Sequence, residues 1–182
     1  MRVIGVVGYP ASGKGEFSRI AGEMGIPVVV MGDVIRREAA KAGLGTSDAA
    51  LGEMAVRLRR ERGMDAVANL TIAEVEALRA PLVLIDGLRG DAEVRRFRGR
   101  FPGFLLVGIV SGFTSRLARS SARGRSDDLS RAEDLRNRDR RYEGFGLARA
   151  LAVADRVLVN EGSLAEFEAK ARTLLEGIRV GA

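Results

Sequence analysis

The sequence Val-Ile-Gly-Val-Val-Gly-Tyr-Pro-Ala-Ser-Gly-Lys-Gly-Glu-Phe occupies residues 3–17 and determines the fold class. Its first part is apolar, as in a buried strand, and the turn that follows is rich in glycine and ends in Gly13-Lys14. Beyond the turn, Phe17 and Ile20 recur at helical spacing. A strand, a glycine-rich turn and a helix in this order are typical of a phosphate-binding loop. An ordinary glycine-rich β–α turn is the alternative.

This loop predicts a site for ATP. Glycines such as Gly8 let the main chain approach a phosphate chain closely, and successive N–H groups at a helix start form an anion site. Lys14 adds a positive charge against the β- and γ-phosphates. The predicted ATP-binding residues of the loop are Gly8, Tyr9, Pro10, Ala11, Ser12, Gly13, Lys14, Gly15 and Glu16.

Two positions of the loop differ from the general motif. The residue after Lys14 is usually Ser or Thr, whose hydroxyl meets Mg²⁺, but here it is Gly15. Adenylate kinases also have glycine there, within Gly-Lys-Gly-Thr, so this loop resembles theirs. Glu16 stands where they have Thr, and a carboxylate does not hold phosphate as that hydroxyl does. The departure from the adenylate kinase pattern therefore lies at Glu16.

The composition restricts the classes of protein. The chain has 182 residues, 46% hydrophobic and 30% charged, which predicts one soluble globular domain over residues 1–182. No apolar run approaches the ~20 residues of a membrane span, and a strand begins at once. We therefore expect a cytoplasmic protein without a signal peptide or a membrane partner. Cysteine and histidine are absent, which excludes disulfides, thiol chemistry, His-based triads and His-ligated metals.

Arginine supplies almost all of the positive charge. The net charge is +6, and the lysines are Lys14, Lys41 and Lys170. Arginine binds phosphate oxygens bidentately and stays charged when partly buried, so this composition suits phosphorylated ligands. A genome rich in G and C favours arginine codons and explains the same total. The composition leaves both explanations open.

Five short apolar runs alternate with helix-patterned stretches. That alternation predicts an α/β fold, with a five-stranded parallel sheet flanked by helices on both faces. The carboxyl ends of the strands then meet at one edge, where ligands bind. The predicted strands are Arg2–Val7, Pro27–Val30, Leu82–Ile85, Phe104–Val110 and Arg156–Val159.

Asp33 and Arg36 follow the second predicted strand, in Gly-Asp-Val-Ile-Arg. Asp33 is either the cap of a helix that begins there or a residue of the site, and both interpretations stay open. Arg36 comes one helical turn later, near the strand end. The segment resembles the Gly-Asp-x-Leu-Arg motif of adenylate kinases, which implies that Asp33 and Arg36 belong to the acceptor site, with Arg36 on the acceptor's phosphate.

Two helices are predicted between the second and third strands. The first runs from Ala49 to Arg62 and ends at Gly63, and the second runs from about Asp65 to Arg79. Nucleoside monophosphate kinases have their acceptor-binding insertion at this position, about 33–79 here. The outer faces of the first helix carry Arg57, Arg59, Arg60 and Arg62. A solvated face explains them, and Arg57 is the candidate acceptor residue.

Asp86 ends the third predicted strand, in Leu-Ile-Asp-Gly-Leu-Arg. A carboxylate beside a phosphate loop organises Mg²⁺, directly or through water. A purely structural role is disfavoured because burying a charge is costly. The segment is similar to the Asp-Gly-Phe-Pro-Arg of adenylate kinases, although Arg89 comes one residue earlier and the proline is missing. The resemblance implies Mg²⁺ at Asp86 and the acceptor at Arg89.

The segment of about 112–142 holds two arginine-bearing helices separated by short polar residues. It resembles the lid of adenylate and dephospho-CoA kinases, which closes over ATP and brings arginines to the γ-phosphate. The resemblance implies Arg123 or Arg125 before the turn and Arg138 or Arg141 after it. A nucleic-acid surface is the alternative, but two Tyr, seven Phe and no Trp offer few stacking platforms. The predicted catalytic residues are Lys14, Asp86, Arg123 and Arg138.

The last predicted strand runs into Asn-Glu-Gly-Ser-Leu, residues 160–164, which resembles the end of dephospho-CoA kinases. In that family the loop lies along the adenine ring and acts mainly through its main chain. The resemblance implies that Asn160 and Gly162 shape the nucleotide site. It extends over essentially the whole chain, which is similar to an archaeal family of small P-loop kinase-like proteins related to adenylate kinase and dephospho-CoA kinase. A P-loop NTPase fold of the nucleoside monophosphate kinase type is implied.

The resemblance implies an enzyme that moves the γ-phosphoryl group of Mg·ATP to a nucleoside monophosphate, with AMP favoured. A dephospho-CoA kinase is the first alternative. Its acceptor is a ribose hydroxyl, which needs a carboxylate within about 3 Å, and Asp33 is the candidate base. A nucleotide-binding regulator, or an ATPase without a small-molecule acceptor, is the second alternative, and Glu16 and Arg89 motivate it.

Overall fold

The computed structural model describes residues 1–123 and 132–180, and at Ala122 and Arg123 it describes the main chain only. Strands and helices alternate through most of the chain, with three consecutive helices between the second and third strands. In chain order the elements are β1 (Arg2–Val7), α1 (Lys14–Glu23), β2 (Val28–Val30), α2 (Met31–Lys41), α3 (Asp48–Arg62), α4 (Ala66–Ala77), β3 (Leu82–Leu88), α5 (Asp91–Arg100), β4 (Leu105–Val110), α6 (Phe113–Arg123), α7 (Ala132–Phe145), α8 (Leu147–Ala152), β5 (Arg156–Val159) and α9 (Leu164–Val180).

The five strands form one parallel sheet in the order β2-β3-β1-β4-β5. This confirms the predicted α/β fold with a five-stranded parallel sheet. The third strand is longer than predicted, since it continues past Ile85 to Leu88. Asp86 lies inside it because its main chain is in register with Val6 of β1 and Val30 of β2. The carboxylate is thereby fixed beside the start of the phosphate loop.

Two apolar layers cover the sheet. Ile4 and Val6 of β1 face one layer, which includes residues of α1 and α9. Val3 and Val7 face the other, which contains residues of α2 to α5, α7 and α8. Both faces of the central strand are therefore buried, which explains why the strands read as continuous apolar runs rather than as alternating ones. Among the described helices, none is long and apolar enough to cross a membrane.

The helical insertion begins without a side-chain cap. The helix α2 starts at Met31, directly after β2, and no side chain caps it, so of the two interpretations left open for Asp33 the capping one is wrong. The main chain passes straight from strand to helix and carries Asp33 into the first turn. In α3 the cap is Ser47, whose Oγ accepts a hydrogen bond from the N–H of Ala50 at 3.2 Å. Gly63 ends α3 as predicted.

Arg59 was expected on a solvated face of α3, and this is wrong. Its side chain is 4% exposed and forms an ion pair with Glu93 of α5, which is fully buried. The Arg59 guanidinium also lies 4.1 Å from the ring centre of Phe145. The second carboxylate oxygen of Glu93 accepts a hydrogen bond from the main-chain N–H of Arg89 at 2.7 Å. The insertion is thus joined to the β3–α5 connection through a buried ion pair.

Candidate functional site

The phosphate loop leads into α1, whose first residue is Lys14. Gly13, just before it, has φ 114°, and Ala11 has φ 58°, so the main chain turns sharply through left-handed conformations. The Lys14 Nζ donates hydrogen bonds to the main-chain oxygens of Gly8 at 2.7 Å and of Tyr9 at 2.8 Å. The ammonium group therefore lies over the loop, where an anion bound by the loop's N–H groups would meet it.

Gly8 and Gly13 are required by close approaches. A Cβ on Gly8 would lie 2.4 Å from the main-chain oxygen of Ile109 and 2.6 Å from the Oγ of Ser12. A Cβ on Gly13 would lie 2.4 Å from the side-chain nitrogen of Asn160. Since real Cβ contacts are longer, either substitution would displace the loop from β4 or from Asn160.

Asn160 anchors the loop from the end of β5. Its side-chain nitrogen donates to the main-chain oxygen of Ser12 at 2.9 Å. Its own main-chain oxygen accepts from Arg119 at 2.9 Å, and its side-chain oxygen accepts from the same guanidinium at 3.3 Å. The side chain is buried. Asn160 thus shapes the loop through its side-chain amide, and the main-chain contact with adenine that the resemblance implies stays a prediction.

A cavity of about 540 Å³ opens between the loop, the start of α1 and the end of β5. This volume lies within the usual range for a small-molecule site. The cavity brings together loop residues with Asn160 and Gly162, as the sequence predicted. We call it the nucleotide cavity; its lining residues are Ala11, Gly13, Gly15, Glu16, Arg19, Arg119, Asn160, Gly162, Leu164 and Phe167.

Glu16 faces the nucleotide cavity and is bound by Arg19 one turn later in α1. The hydrogen bond from Arg19 lowers the pKa of the Glu16 carboxyl, so it carries a negative charge beside the cavity. Arg19 also pairs with Glu23 and with Glu168 of α9. The carboxylate that replaces the Thr of adenylate kinases is therefore part of a charge network between α1 and α9.

The other side of the loop is held by α6 and α7. Arg116 donates to the main-chain oxygen of Pro10 at 3.2 Å and to both carboxylate oxygens of Asp139, at 2.9 and 2.7 Å. The Tyr9 hydroxyl donates to Glu143 at 3.0 Å. Burial, followed by this hydrogen bond, raises the pKa of Tyr9 to about 12, so the phenol stays protonated. The two helices thus contact the loop directly.

Asp86 lies beside the loop and close to Arg89. It lines a cavity of about 160 Å³ together with Lys14 and Arg89. Burial raises the pKa of the Asp86 carboxyl, although Lys14 and a hydrogen bond from Ser18 oppose the shift. Its Oδ1 has no hydrogen-bond partner among the described residues. An unsatisfied buried carboxylate oxygen beside a phosphate loop fits a water ligand of Mg²⁺.

Two adjoining cavities, of about 160 and 60 Å³, share Gly32, Arg36, Arg89, Arg138 and Tyr142. We call them together the arginine cavity. Four guanidinium groups line it, because the smaller cavity adds Arg141. Such a concentration of fixed positive charge is typical of a site for phosphate or another multiply charged anion.

Two carboxylates partly balance this charge. Asp33 binds Arg36 on the exposed side, and Asp48 binds Arg138 and Arg141 inside the cavity. Lys14 and Asp86 also line the larger cavity, so four guanidinium groups and one ammonium group lie in or beside the same space as three carboxylates, which leaves an excess of positive charge.

The Arg89 guanidinium lies 4.2 Å from the ring centre of Tyr142. Within residues 1–123 and 132–180, no carboxylate forms an ion pair with it. Arg89 is therefore held in this cavity without a direct ion pair to a described carboxylate, although Asp86 lies near enough for the two charges to interact.

Several predicted residues come together here and others do not. Lys14, Asp86, Arg36, Arg89 and Arg138 all line the larger part of the arginine cavity. Asp33 reaches it only through Arg36. Arg57 lines neither part, since it is half exposed and donates to Glu61 at 3.0 Å. The Arg123 side chain and the whole of Arg125 lie outside the described residues.

The sequence analysis missed Asp48 and Tyr142. A signal for Tyr142 was present, since Arg138, Arg141, Tyr142 and Phe145 are spaced at i, i+3, i+4 and i+7 and share one face of α7. Asp48 carried no such signal, because it looks like an ordinary acidic residue in the first turn of a capped helix. Only the packing of α3 against α7 reveals its partners.

Solved structures share this fold at low sequence identity. The crystal structure of TT1252 from Thermus thermophilus superposes with a TM-score of 0.65 and 22% identity, over 97% of each chain. A shikimate kinase from Acinetobacter baumannii superposes with a TM-score of 0.55 and 19% identity, over 98% of this chain and 93% of that one. A gluconokinase from Sinorhizobium meliloti superposes with a TM-score of 0.59 and 18% identity, over 99% of this chain and 97% of that one. These neighbours establish a P-loop kinase-like fold.

Sequence relatives are much closer. The UPF0200 protein of Methanoregula boonei is 58% identical over 178 residues, which are 98% of both chains. The UPF0200 protein of Methanoculleus marisnigri is 57% identical over 175 residues, 96% of both. A family model described as AAA domain matches residues 7–136. The predicted relationship to archaeal P-loop kinase-like proteins is confirmed. The chain belongs to the UPF0200 family, and most of its length matches the AAA domain model.

Proposed function

We propose that the protein is a phosphotransferase that moves the γ-phosphoryl group of Mg·ATP to a nucleoside monophosphate. The observation that carries the proposal is the pair of cavities on either side of one phosphate loop. The nucleotide cavity is the larger one, and residues of the phosphate loop line it together with Asn160 and Gly162. The arginine cavity is small and strongly basic. A donor nucleotide and an anionic acceptor would thus meet at Lys14 and Asp86.

The donor side supplies positioning and charge. The N–H groups at the start of α1 and the Lys14 ammonium would hold the β- and γ-phosphates. Asn160 keeps the loop in shape through its hydrogen bond to Ser12. The adenosine part has room in the nucleotide cavity, near Arg119 and Leu164.

Magnesium fits this site through Asp86. The described residues contain no group of three or more acidic side chains that would hold a metal ion by themselves. The phosphates of ATP would therefore supply most of the ligands, and Asp86 would hold a bound water. Gly15 offers no hydroxyl ligand, which favours this indirect arrangement. When bound, Mg²⁺ would neutralise charge on the transferred phosphoryl group.

The acceptor side favours a phosphate group. Arg36, Arg89 and Arg138 line the same cavity as Lys14, so an acceptor phosphate bound by them would lie beside the donor's γ-phosphate. A phosphate oxygen is already ionised at neutral pH and needs no general base. The arginines would also neutralise the charge that develops during transfer. Arg123 and the segment of about 112–142, proposed as a lid, would complete the donor side.

The alternatives receive less support. Shikimate kinase and gluconokinase among the structural neighbours point to small-molecule kinases, without indicating this chain's acceptor. A dephospho-CoA kinase would use Asp33 as a base, but this carboxylate is bound by Arg36 and does not line the arginine cavity. A regulator or an ATPase without an acceptor would have no use for a second basic cavity beside the loop.

A coupled assay with ATP, Mg²⁺ and a panel of acceptors tests the proposal. The panel contains AMP, CMP, UMP, dephospho-CoA, shikimate and gluconate, and product is identified by mass. We expect a nucleoside diphosphate from at least one monophosphate. Phosphorylated product from dephospho-CoA alone, or ATP hydrolysis without any phosphorylated acceptor, would contradict it.

A further inference from the structure

Asp48 contributes a carboxylate to a cavity that otherwise presents arginines. It is the first residue of α3, and it binds two residues of α7. The Arg141 Nη2 lies 2.9 and 3.0 Å from its two oxygens. Arg138 pairs with the same carboxylate. One internal anion therefore occupies two of the four guanidinium groups.

The burial of these groups makes the contact energetically significant. The side chain of Arg138 is 10% exposed, that of Arg141 22% and that of Asp48 27%. Water screens such charges poorly, so the two guanidinium groups need a counter-charge. The absence of a side chain on Gly52 makes room for the contact, since a Cβ there would lie 2.4 Å from the Arg141 Nη1.

An incoming anion must compete with this carboxylate. A ligand with one negative charge would exchange one carboxylate for another at Arg138 and Arg141 and gain little. A phosphate monoester carries almost two charges and three acceptor oxygens at neutral pH. It would form stronger charge-assisted hydrogen bonds with the same guanidinium groups, and it would also meet Arg89. Asp48 therefore lowers the affinity of every ligand for these guanidinium groups, and only a ligand of high charge still binds them tightly.

We propose that Asp48 is an internal competitor of the acceptor: it occupies Arg138 and Arg141 in the free protein, and an acceptor phosphate, which carries more charge than a carboxylate, displaces it. This inference rests on the proposed acceptor role of the arginine cavity and names the acceptor class as phosphate monoesters. Displacement also breaks the ion pairs of Asp48 with α7, so acceptor binding loosens one end of the contact between α3 and α7, while Arg59 of α3 stays over the ring of Phe145.

Titration calorimetry at constant ionic strength tests this. The ligands are inorganic phosphate, AMP and acetate, and the proteins are wild type, Asp48→Asn and Glu61→Gln. We expect wild type to bind phosphate and AMP more tightly than acetate. Asp48→Asn should bind all three more tightly by a common factor of about ten, because each ligand loses the same competitor. Glu61→Gln removes the same charge from the same helix, outside the cavity, and its affinities should equal those of wild type.

Two results would overturn the inference. Unchanged or weaker phosphate binding by Asp48→Asn would make Asp48 a structural clamp between α3 and α7. If wild type bound acetate as tightly as phosphate, the charge of the ligand would not decide which anion displaces Asp48. If Asp48→Asn does not fold, Asp48→Ser replaces it, with the same expected gain. Phosphate binding needs no turnover, so a failed acceptor panel would refute the proposed function and leave this test decisive.

Discussion

The two sides of the phosphate loop differ in how their cavities are lined. On the donor side, a cavity of about 540 Å³ is shaped by main chain, glycines and one buried amide. On the acceptor side, cavities of about 160 and 60 Å³ are lined by guanidinium groups with few apolar contacts. In the proposed function, the donor side would therefore select by shape and the acceptor side by charge. Substitutions should therefore affect the two substrates separately, except at the residues that lie between them.

Lys14 lies between the two sides, and its removal should have the largest effect. Lys14→Met keeps the length of the side chain and removes the charge that faces the donor phosphates. We expect turnover to fall by about 100-fold to 1,000-fold, as for the loss of one key transition-state donor. Steady-state kinetics measures this, with circular dichroism to confirm folding, because the variant also loses hydrogen bonds to Gly8 and Tyr9. Wild-type turnover would remove Lys14 from the mechanism.

Arg89 tests the acceptor side alone. Arg89→Met should raise the KM for the acceptor by about 10- to 100-fold, because the acceptor loses the binding free energy of one charge-assisted hydrogen bond. The KM for ATP should be nearly unchanged. Arg57→Met is the matched control, because Arg57 is an arginine outside the cavity that pairs with Glu61. Equal effects of the two variants on the acceptor would contradict the assignment of the arginine cavity.

Asn160 tests the donor side in the same way. Asn160→Ala leaves the buried oxygen of Ser12 without its donor, which costs about 1–3 kcal/mol. We expect a KM for ATP about tenfold higher, with acceptor affinity preserved. Kinetics with each substrate varied in turn would measure the separation. A rise confined to the acceptor's KM would show that shape and charge are not divided between the two sides.

Asp86 lies between the sides, and it should destabilise the fold. Its raised pKa means that the folded state loses stability as the pH rises from the ordinary carboxyl range through the folded-state pKa. Asp86→Asn should therefore raise Tm, by about 2–4 °C for each kcal/mol gained, while reducing turnover. The difference should be smallest in acid, where Asp86 is protonated in both states. Calorimetric unfolding from acid to neutral pH measures it; a difference independent of pH would refute the explanation.

Glu16 should give the smallest effect. Glu16→Thr restores the adenylate kinase residue and removes a negative charge from the edge of the nucleotide cavity. Arg19 keeps Glu23 and Glu168 as partners. We expect ATP affinity to rise by less than about tenfold, as for an exposed charge, and the gain to shrink with added salt. Weaker ATP binding would mean that Glu16 contributes to the donor site.

The donor side was predictable from the sequence because its chemistry is local. Gly8, Gly13 and Lys14 lie within seven consecutive residues, and the order of strand and helix places their main chain. The acceptor side depends on contacts between distant elements. Asp48 and Arg141 are 93 residues apart, and only the packing of α3 against α7 brings them together. In a chain with so many arginines, charge alone does not show which of them face a site, and Arg57 and Arg59 both illustrate this.

The buried pair of Arg59 and Glu93 has a consequence for protein engineering. The helical insertion looks exchangeable, since α3 and α4 form one continuous segment. Yet its Arg59 needs a carboxylate that α5 supplies, and that same carboxylate holds the main chain of Arg89. Consider a chimera that takes this segment from a distant kinase with an apolar residue at the position of Arg59. The carboxylate of Glu93 would then be buried without a counter-charge. Residue 93 should therefore be exchanged together with the segment.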